Sequence, residues 1–158
     1  MNEKYMKEAL KEAKKAYDED EIPVGAVIVK DGKVIARAHN QKEQKKDTIC
    51  HAEILAIKKA SKKINAWRLS GCTMYVTLEP CPMCAGALIN SRIDKVVFAT
   101  ADERTGACGT VLNLLEDYKF NHVVEVEKDV MQKESEIMLK EFFKDLRKRL
   151  NNGKKKSS

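Results

Sequence analysis

The sequence predicts an α/β sandwich formed by a single domain. Short apolar runs typical of β-strands alternate along the chain with longer segments that have helical periodicity. The chain has 158 residues, of which 43% are apolar, so one domain can bury a continuous core. We recognise neither an internal repeat nor a linker in the sequence, and we expect the domain to cover residues 1–150.

The first half of the chain predicts an amphipathic helix, a hairpin, a polar loop and a second helix. Apolar residues such as Met6 and Leu10 recur at helical spacing near the start, and residues 18–23 interrupt this pattern. Two apolar runs joined by the turn Lys30-Asp31-Gly32 predict the hairpin. The predicted bounds are 3–18 for the first helix, 24–29 and 33–38 for the strands, 39–50 for the loop and 51–63 for the second helix.

The second half predicts three strands and two helices. Proline is favoured at the first position of a helix, so Pro82 indicates a helix start. A loop with Asp102 and Gly109 follows the fourth strand. Residues 151–158 lack apolar side chains and predict a basic, disordered tail. The predicted bounds are 74–78, 96–99 and 123–126 for the strands, and 82–91 and 131–150 for the helices.

The net charge of +6 is located at the carboxyl end of the chain. Residues 144–158 contain seven basic side chains and one acidic side chain, and the rest of the chain has 23 of each. A neutral body with a basic end indicates an anionic partner such as a nucleic acid. The alternative is that the lysines only increase solubility.

Other function classes are disfavoured by composition. No apolar run is long enough for a membrane helix, and the first ten residues are polar and charged, unlike a secretion signal. Five cysteines are an odd number, and their spacing does not predict a disulfide framework. We therefore expect a cytoplasmic protein without a membrane partner, whose thiols remain reduced.

Two motifs carry the strongest functional information: His51-Ala52-Glu53 and Pro80-Cys81-Pro82-Met83-Cys84. If Pro82 opens a helix, Cys81 caps it and Cys84 lies in its first turn, so both sulfurs reach one ion. The helix start also favours their thiolate forms. With His51 at the start of another helix, the set is typical of zinc, and we predict one zinc ion between two facing helix starts.

Three protein ligands leave the fourth zinc position to water, and Glu53 is the residue type that moves the protons of such a water. The motifs therefore predict a catalytic zinc site. The alternative is a closed, structural site with a fourth protein ligand. The residues that qualify for that position are Cys50, Cys72, Cys108, His39 and His122. Neighbouring helix positions diverge by about 100°, so we expect Cys50 to point away from the ion.

The order of these motifs matches the established zinc deaminase signature, and nearly the whole chain resembles the tRNA adenosine deaminases, the TadA family. The segments that carry the resemblance are Pro23–Val27, His51–Glu53, Tyr75–Ala87 and Asp102–Gly109. The sequence departs from the family in two places. Asp47-Thr48-Ile49 lacks a proline that the family often has, and Cys50 stands where it often has alanine.

The resemblance implies a five-stranded mixed sheet between helices, a homodimer, and conversion of adenosine to inosine at the wobble position of a tRNA anticodon. It implies that His51, Cys81 and Cys84 bind zinc and that Glu53 is catalytic. The positions that the resemblance assigns to substrate binding are Asn40, Asp102 and Arg104. Asn40 is expected to contact the target base, and the other two are expected to contact flanking nucleotides.

Three rival functions remain open from the sequence. A zinc deaminase of a free base or nucleotide, such as guanine or cytidine, would share the metal motifs. A nucleic-acid-binding module with structural zinc would not need Glu53. A redox protein would use Cys81 and Cys84 as an exchangeable pair.

Overall fold

The structure, a computed structural model, describes residues 2–157 and the side chains of residues 2–153. Five helices and five strands follow one another in these residues. The helices are α1 (Asn2–Asp18), α2 (Lys42–Lys45), α3 (Ala52–Ile64), α4 (Pro82–Asn90) and α5 (Gln132–Ser157). The strands are β1 (Gly25–Lys30), β2 (Lys33–His39), β3 (Cys72–Leu78), β4 (Lys95–Thr100) and β5 (Glu125–Glu127).

The strands form one mixed sheet in the order β2-β1-β3-β4-β5. β1 pairs antiparallel with both β2 and β3, whereas β3, β4 and β5 run parallel to one another. The register places Val27 opposite Tyr75 and Tyr75 opposite Val97. The five-stranded mixed sheet implied by the sequence resemblance is therefore confirmed.

Each face of the sheet buries its own set of alternating side chains. The larger core contains Ile28, Met74 and Phe98 from the central strands, together with residues of α3 and α4. The other face presents Val27 and Val97 to α1, and residues of α1 complete that smaller core. Contacts of α5 with β3, β4 and α1 add this helix to the same side. The predicted α/β sandwich is therefore confirmed, and it has three layers in the order α/β/α.

Gly25 lies at the start of β1, where α1 packs directly against the strand. A Cβ atom at this position would lie 2.0 Å from the carbonyl oxygen of Ala9 and 2.4 Å from the backbone nitrogen of Ala13. Both neighbours are backbone atoms of a helix, so they cannot rotate aside. A side chain at Gly25 is therefore incompatible with this packing of α1 on the sheet.

The structure differs from the predicted elements mainly in the loop before α3 and in the final helix, and the other element bounds move by one or two residues, as at β3 and β5. The predicted loop over 39–50 contains the short helix α2, and β5 begins at Glu125, two residues after the predicted start. The final helix continues beyond residue 150 to Ser157, so the described part of the predicted disordered tail is helical. The extension continues a helix of 26 residues, and adding residues to an existing helix avoids the cost of nucleation. Ser158 lies outside the described residues.

Among the residues described, no helix has the length and apolarity that crossing a membrane requires.

Candidate active site

His51 is the residue that precedes the first turn of α3. Its backbone is extended, with φ −75° and ψ 153°, and its side chain makes no capping hydrogen bond to the helix. The imidazole is therefore available for other partners. Its Nδ1 atom lies 3.7 Å from the Sγ of Cys81 and 3.6 Å from the Sγ of Cys84.

Cys81 has the equivalent position at the start of α4. It precedes Pro82, its backbone is also extended, and its side chain does not cap the helix. Cys84 lies in the first turn and is fully buried. As the sequence predicts, the starts of α3 and α4 therefore meet, and the cysteines reach the same imidazole from one helical turn.

The ligand atoms of His51, Cys81 and Cys84 all lie within 4.8 Å of one another. A tetrahedral zinc ion with Zn–S bonds of about 2.3 Å and a Zn–N bond of about 2.0 Å requires N···S separations of about 3.5 Å. The two observed N···S distances are 3.6 and 3.7 Å. The three side chains thus fit zinc in both donor type and spacing.

The cysteines differ in their affinity for protons. A hydrogen bond from the Cys84 thiol, assisted by His51 and the backbone N–H of Cys84, lowers the pKa of Cys81 to about 4. The same hydrogen bond, together with burial, raises the pKa of Cys84. The Cys81 thiol therefore loses its proton readily, whereas the Cys84 thiol retains its proton. A divalent cation supplies the additional positive charge that the second thiolate requires.

Glu53 lies in the first turn of α3 and is only 4% exposed. Burial raises the pKa of its carboxyl, whereas its own backbone N–H, the charge of His51 and the Cys84 thiol oppose this effect. Glu53 does not belong to the group of three metal-ligand candidates. It is thus a buried carboxyl that interacts with His51 and Cys84, which places a residue type able to carry protons beside the cluster.

Asn40 is 7% exposed and follows β2. Its Nδ2 donates to the carbonyl oxygen of Ile22 at 3.3 Å, and its Oδ1 accepts from the backbone N–H of Lys42 at 3.2 Å. An asparagine amide has two N–H donors and two acceptor lone pairs, so one of each remains for a ligand. The backbone N–H of Gln41 donates to the carbonyl oxygen of Cys50, which brings Asn40 close to His51.

Asp102 uses its carboxylate within its own loop. Oδ1 accepts from the backbone N–H groups of Arg104 at 2.9 Å and Thr105 at 3.2 Å, and Oδ2 accepts from the hydroxyl of Thr105 at 3.0 Å. This carboxylate therefore shapes the turn, while Arg104 is exposed at its surface. The backbone N–H of Ala107 donates to the carbonyl oxygen of Pro80 at 2.9 Å, so the loop adjoins the Cys81 motif.

Comparison with known proteins agrees with this geometry. The MafB19-like deaminase family matches residues 1–147. The tRNA-specific adenosine deaminase of Bacillus subtilis (strain 168) is 52% identical over 157 residues, which cover 99% of this chain and 98% of that protein. This chain belongs to the tRNA-specific adenosine deaminase family.

Two further members support the assignment. The tRNA-specific adenosine deaminase of Aquifex aeolicus (strain VF5) is 49% identical over 145 residues, covering 92% of this chain and 95% of that protein. A solved structure from studies of A-to-I editing by tRNA:A34 deaminases at the wobble position of transfer RNA has a TM-score of 0.83 and 38% identity. The matched region covers 86% of this chain and 99% of the chain in that structure. As a member of this family the chain is a zinc-dependent deaminase, a hydrolase that acts on a C–N bond.

The residues considered as a fourth ligand lie elsewhere in this deaminase. Among the described residues, no fourth histidine, cysteine, aspartate or glutamate joins the metal cluster. His39 lies between the carboxylates of Glu12 and Glu19, and Nε2 of His122 donates to the carbonyl oxygen of Ile93. The remaining three candidates are buried free thiols, namely Cys50, Cys72 and Cys108.

Sequence reasoning missed two buried glutamates that shape the loops around the zinc site. Glu21 is fully buried and accepts the backbone N–H groups of Glu43 and Gln44 at 2.9 and 2.7 Å. Glu79 is 2% exposed and accepts hydrogen bonds from the loop that begins at Asp102. In the sequence, Glu21 is one of several acidic residues after α1, and Glu79 is a single charged residue after the apolar strand β3. Neither pattern reveals the distant hydrogen-bond partners.

Proposed function

We propose that this chain converts adenosine to inosine at the wobble position of a tRNA anticodon. The observation that carries the proposal is the convergence of His51, Cys81 and Cys84 beside the buried Glu53. The names of the family members support tRNA adenosine as the substrate. The overall reaction consumes one water and releases one ammonia for each inosine formed.

The metal ligands in this proposal are His51, Cys81 and Cys84, and the bound zinc supplies Lewis-acid activation of the attacking water. Glu53 accepts a proton from that water while the oxygen of the water bonds to C6 of adenine. The same carboxyl then delivers that proton to the ring nitrogen. It next takes the second proton of the former water from the oxygen now bound to C6 and passes it to the amino group, so that the C6–N bond breaks, ammonia leaves and a C6 carbonyl remains. One proton carrier thus serves both halves of the reaction, and its burial protects it from exchange with bulk solvent.

The substrate contacts follow from the free hydrogen-bonding capacity of the site. Asn40 retains one N–H donor and one acceptor lone pair after its contacts with Ile22 and Lys42, and these suit an edge of the target base. Anticodon bases lie in a loop, so placing one base in a pocket costs little pairing energy. Arg104 and the turn shaped by Asp102 are proposed to contact nucleotides beside the target.

The basic end of α5 is proposed to bind tRNA phosphates. Its basic residues within the described side chains are Lys144, Arg147, Lys148 and Arg149. Arg149 also pairs with Asp20 at 2.7 Å, so part of its charge is neutralised within the chain. Phosphate contacts release counterions, and binding should therefore weaken as salt concentration rises.

We further propose that residues 1–150 form one catalytic domain, that two copies associate as a homodimer, and that the enzyme acts in the cytoplasm. The homodimer follows from the family resemblance, and the cytoplasmic location follows from a nucleic-acid substrate and unpaired thiols. Light scattering of the purified, zinc-loaded protein tests the dimer, with twice the chain mass of 17.9 kDa expected.

The proposed reaction is tested with synthetic anticodon stem-loops. One stem-loop carries adenosine at the wobble position, a matched control carries guanosine there, and separate samples contain free guanine and free cytidine. We expect inosine at the wobble position of the first substrate and no deamination of the others. Deamination of guanine or cytidine with an intact stem-loop adenosine would instead establish the rival function.

A further inference from the structure

Glu79 follows β3 and has an unusual environment for a carboxylate. It is 2% exposed, and among the described side chains no lysine, arginine or histidine forms an ion pair with it. A buried carboxylate without a cation depends on hydrogen-bond donors for its stability. The donors that surround Glu79 therefore indicate its role.

All of these donors come from one loop. Oε1 accepts from the backbone N–H of Asp102 at 3.1 Å and from the hydroxyl of Thr110. Oε2 accepts from the backbone N–H groups of Cys108 at 2.9 Å and Thr110 at 3.2 Å. Glu79 thus joins both ends of the segment 102–110 through four hydrogen bonds.

The loop is shaped to fit this carboxylate. A Cβ atom at Gly106 would lie 2.5 Å from Oε1 of Glu79 and 2.5 Å from the carbonyl oxygen of Asp102. Only glycine leaves the carboxylate this space. In the same loop, Ala107 donates its backbone N–H to Pro80, the residue between Glu79 and the ligand Cys81. One short stretch of chain therefore connects the metal site and the loop.

We propose that Glu79 is a positioning residue, which fixes the loop 102–110 relative to the zinc site and thereby places Arg104 against the nucleotides beside the target base. The inference rests on the proposed function for its consequence on tRNA, whereas the fixation of the loop is independent of the substrate. Glu79 acts through the loop and does not touch the reacting atoms.

The decisive variant is Glu79→Gln. The glutamine side chain has nearly the same size as that of glutamate. Its NH₂ group, however, faces N–H and O–H donors that need an acceptor. About half of the hydrogen bonds between this side chain and the loop are therefore lost. Losing hydrogen bonds to a charged group makes loop opening about 10–100 times more frequent. Amide hydrogen exchange in residues 100–112 should accelerate by that factor, with zinc content unchanged. The KM for the anticodon stem-loop should rise by a larger factor than kcat falls.

Two variants of Thr110 protect the test against a general folding defect. Thr110→Ser keeps the hydroxyl and should match the wild type, whereas Thr110→Val removes only that donor and should accelerate exchange in the loop by about 5-fold. Glu125→Gln provides the matched charge control, because Glu125 is exposed in β5 and lies outside the loop. It should change neither exchange in the loop nor KM.

The proposal is overturned if exchange in residues 100–112 is the same in Glu79→Gln and Glu125→Gln, or if Thr110→Ser and Thr110→Val behave alike. Loss of zinc from a folded Glu79→Gln protein would also overturn it, because Glu79 would then support the metal. Wild-type protein that never forms inosine would refute the proposed function alone, since the exchange experiment does not depend on tRNA.

Discussion

The Nδ1 atom of His51 lies 3.6 Å from the Sγ atom of Cys84, although 33 positions separate the residues in sequence. The imidazole extends from the start of α3 and the thiol from the first turn of α4, and both helices pack on the same face of the sheet. This relationship brings two short motifs together as one cluster that can hold a metal ion. It also makes the properties of the site testable residue by residue.

Replacement of a proposed ligand should abolish zinc binding, whereas replacement of an equally buried thiol should not. Cys84 and Cys72 are both fully buried, so changing either to alanine removes the same atom from the core. Cys84→Ala should weaken zinc binding by more than the 10–100-fold that is typical of changes outside the ligand set. Cys72→Ala should bind one zinc per chain.

Zinc content and the response of the melting temperature to a chelator provide the measurements. The wild type and Cys72→Ala should lose stability when zinc is removed, because the metal binds the folded state. Cys84→Ala should not respond. A stoichiometric zinc content in Cys84→Ala would contradict the assigned ligand set.

Cys50 should not take part in metal binding, even though it precedes His51. Its side chain is 5% exposed and belongs to the larger hydrophobic core, and burial raises the pKa of its thiol. Cys50→Ala should therefore retain both the zinc stoichiometry and the affinity measured by competition with a chelator. A change in either quantity would show that this thiol contacts the ion.

Gly25 should be sensitive to a single methyl group. Gly25→Ala places the methyl against backbone atoms of α1, and we expect a loss of about 3 kcal/mol or more in the free energy of unfolding. Gly86→Ala is the control, because a Cβ at this position in α4 meets no atom within 4 Å. That variant should gain about 0.5–1 kcal/mol from helix propensity. Urea unfolding of the zinc-loaded proteins measures both, and equal stabilities would refute the described contact between α1 and β1.

Tyr17 should ionise only in strongly alkaline solution. Its hydroxyl donates to the carboxylate of Asp145, and this hydrogen bond raises the pKa of the phenol to about 12 from an ordinary value of 10.0. The folded-state pKa lies above the unfolded one, so the contribution to stability is complete below pH 10. It is lost as the pH rises through about 12.

A pH titration that follows the ultraviolet absorbance of tyrosinate measures the pKa of Tyr17 in the folded protein. The difference between the wild type and Tyr17→Phe should have its midpoint near pH 12, and Asp145→Asn should move the midpoint of Tyr17 down towards 10. An unchanged midpoint in Asp145→Asn would mean that the hydrogen bond between α1 and α5 does not exist in solution.

The sequence predicts most of the elements and the three metal-ligand candidates because their determinants are local. Pro82 marks a helix start, and the three-residue spacing of Cys81 and Cys84 places both sulfurs on one turn. The short helix α2 was missed because Glu21, about twenty positions earlier in the chain, caps it. No local pattern records such a distant partner.

The loops around the site show the same limit. The resemblance implies that Asp102 contacts nucleotides, and the structure adds hydrogen bonds that the sequence does not reveal, because the carboxylate also accepts from the turn at Arg104 and Thr105. In the sequence, Glu79 is one charged residue within the segment Tyr75–Ala87. Only the fold brings the hydrogen-bond donors of residues 102–110 to its carboxylate. Long-range satisfaction of buried polar groups is therefore the part of the site that a single sequence does not reveal.

The most direct test of the account is the activity of Glu53→Gln on a stem-loop with adenosine at the wobble position. The amide keeps the volume of the buried side chain but cannot accept a proton from water. We expect a folded protein with one zinc per chain whose rate of inosine formation falls by about 10²–10⁴-fold or more. A zinc-loaded Glu53→Gln enzyme that forms inosine within a few-fold of the wild-type rate would contradict the central claim that Glu53 carries the proton.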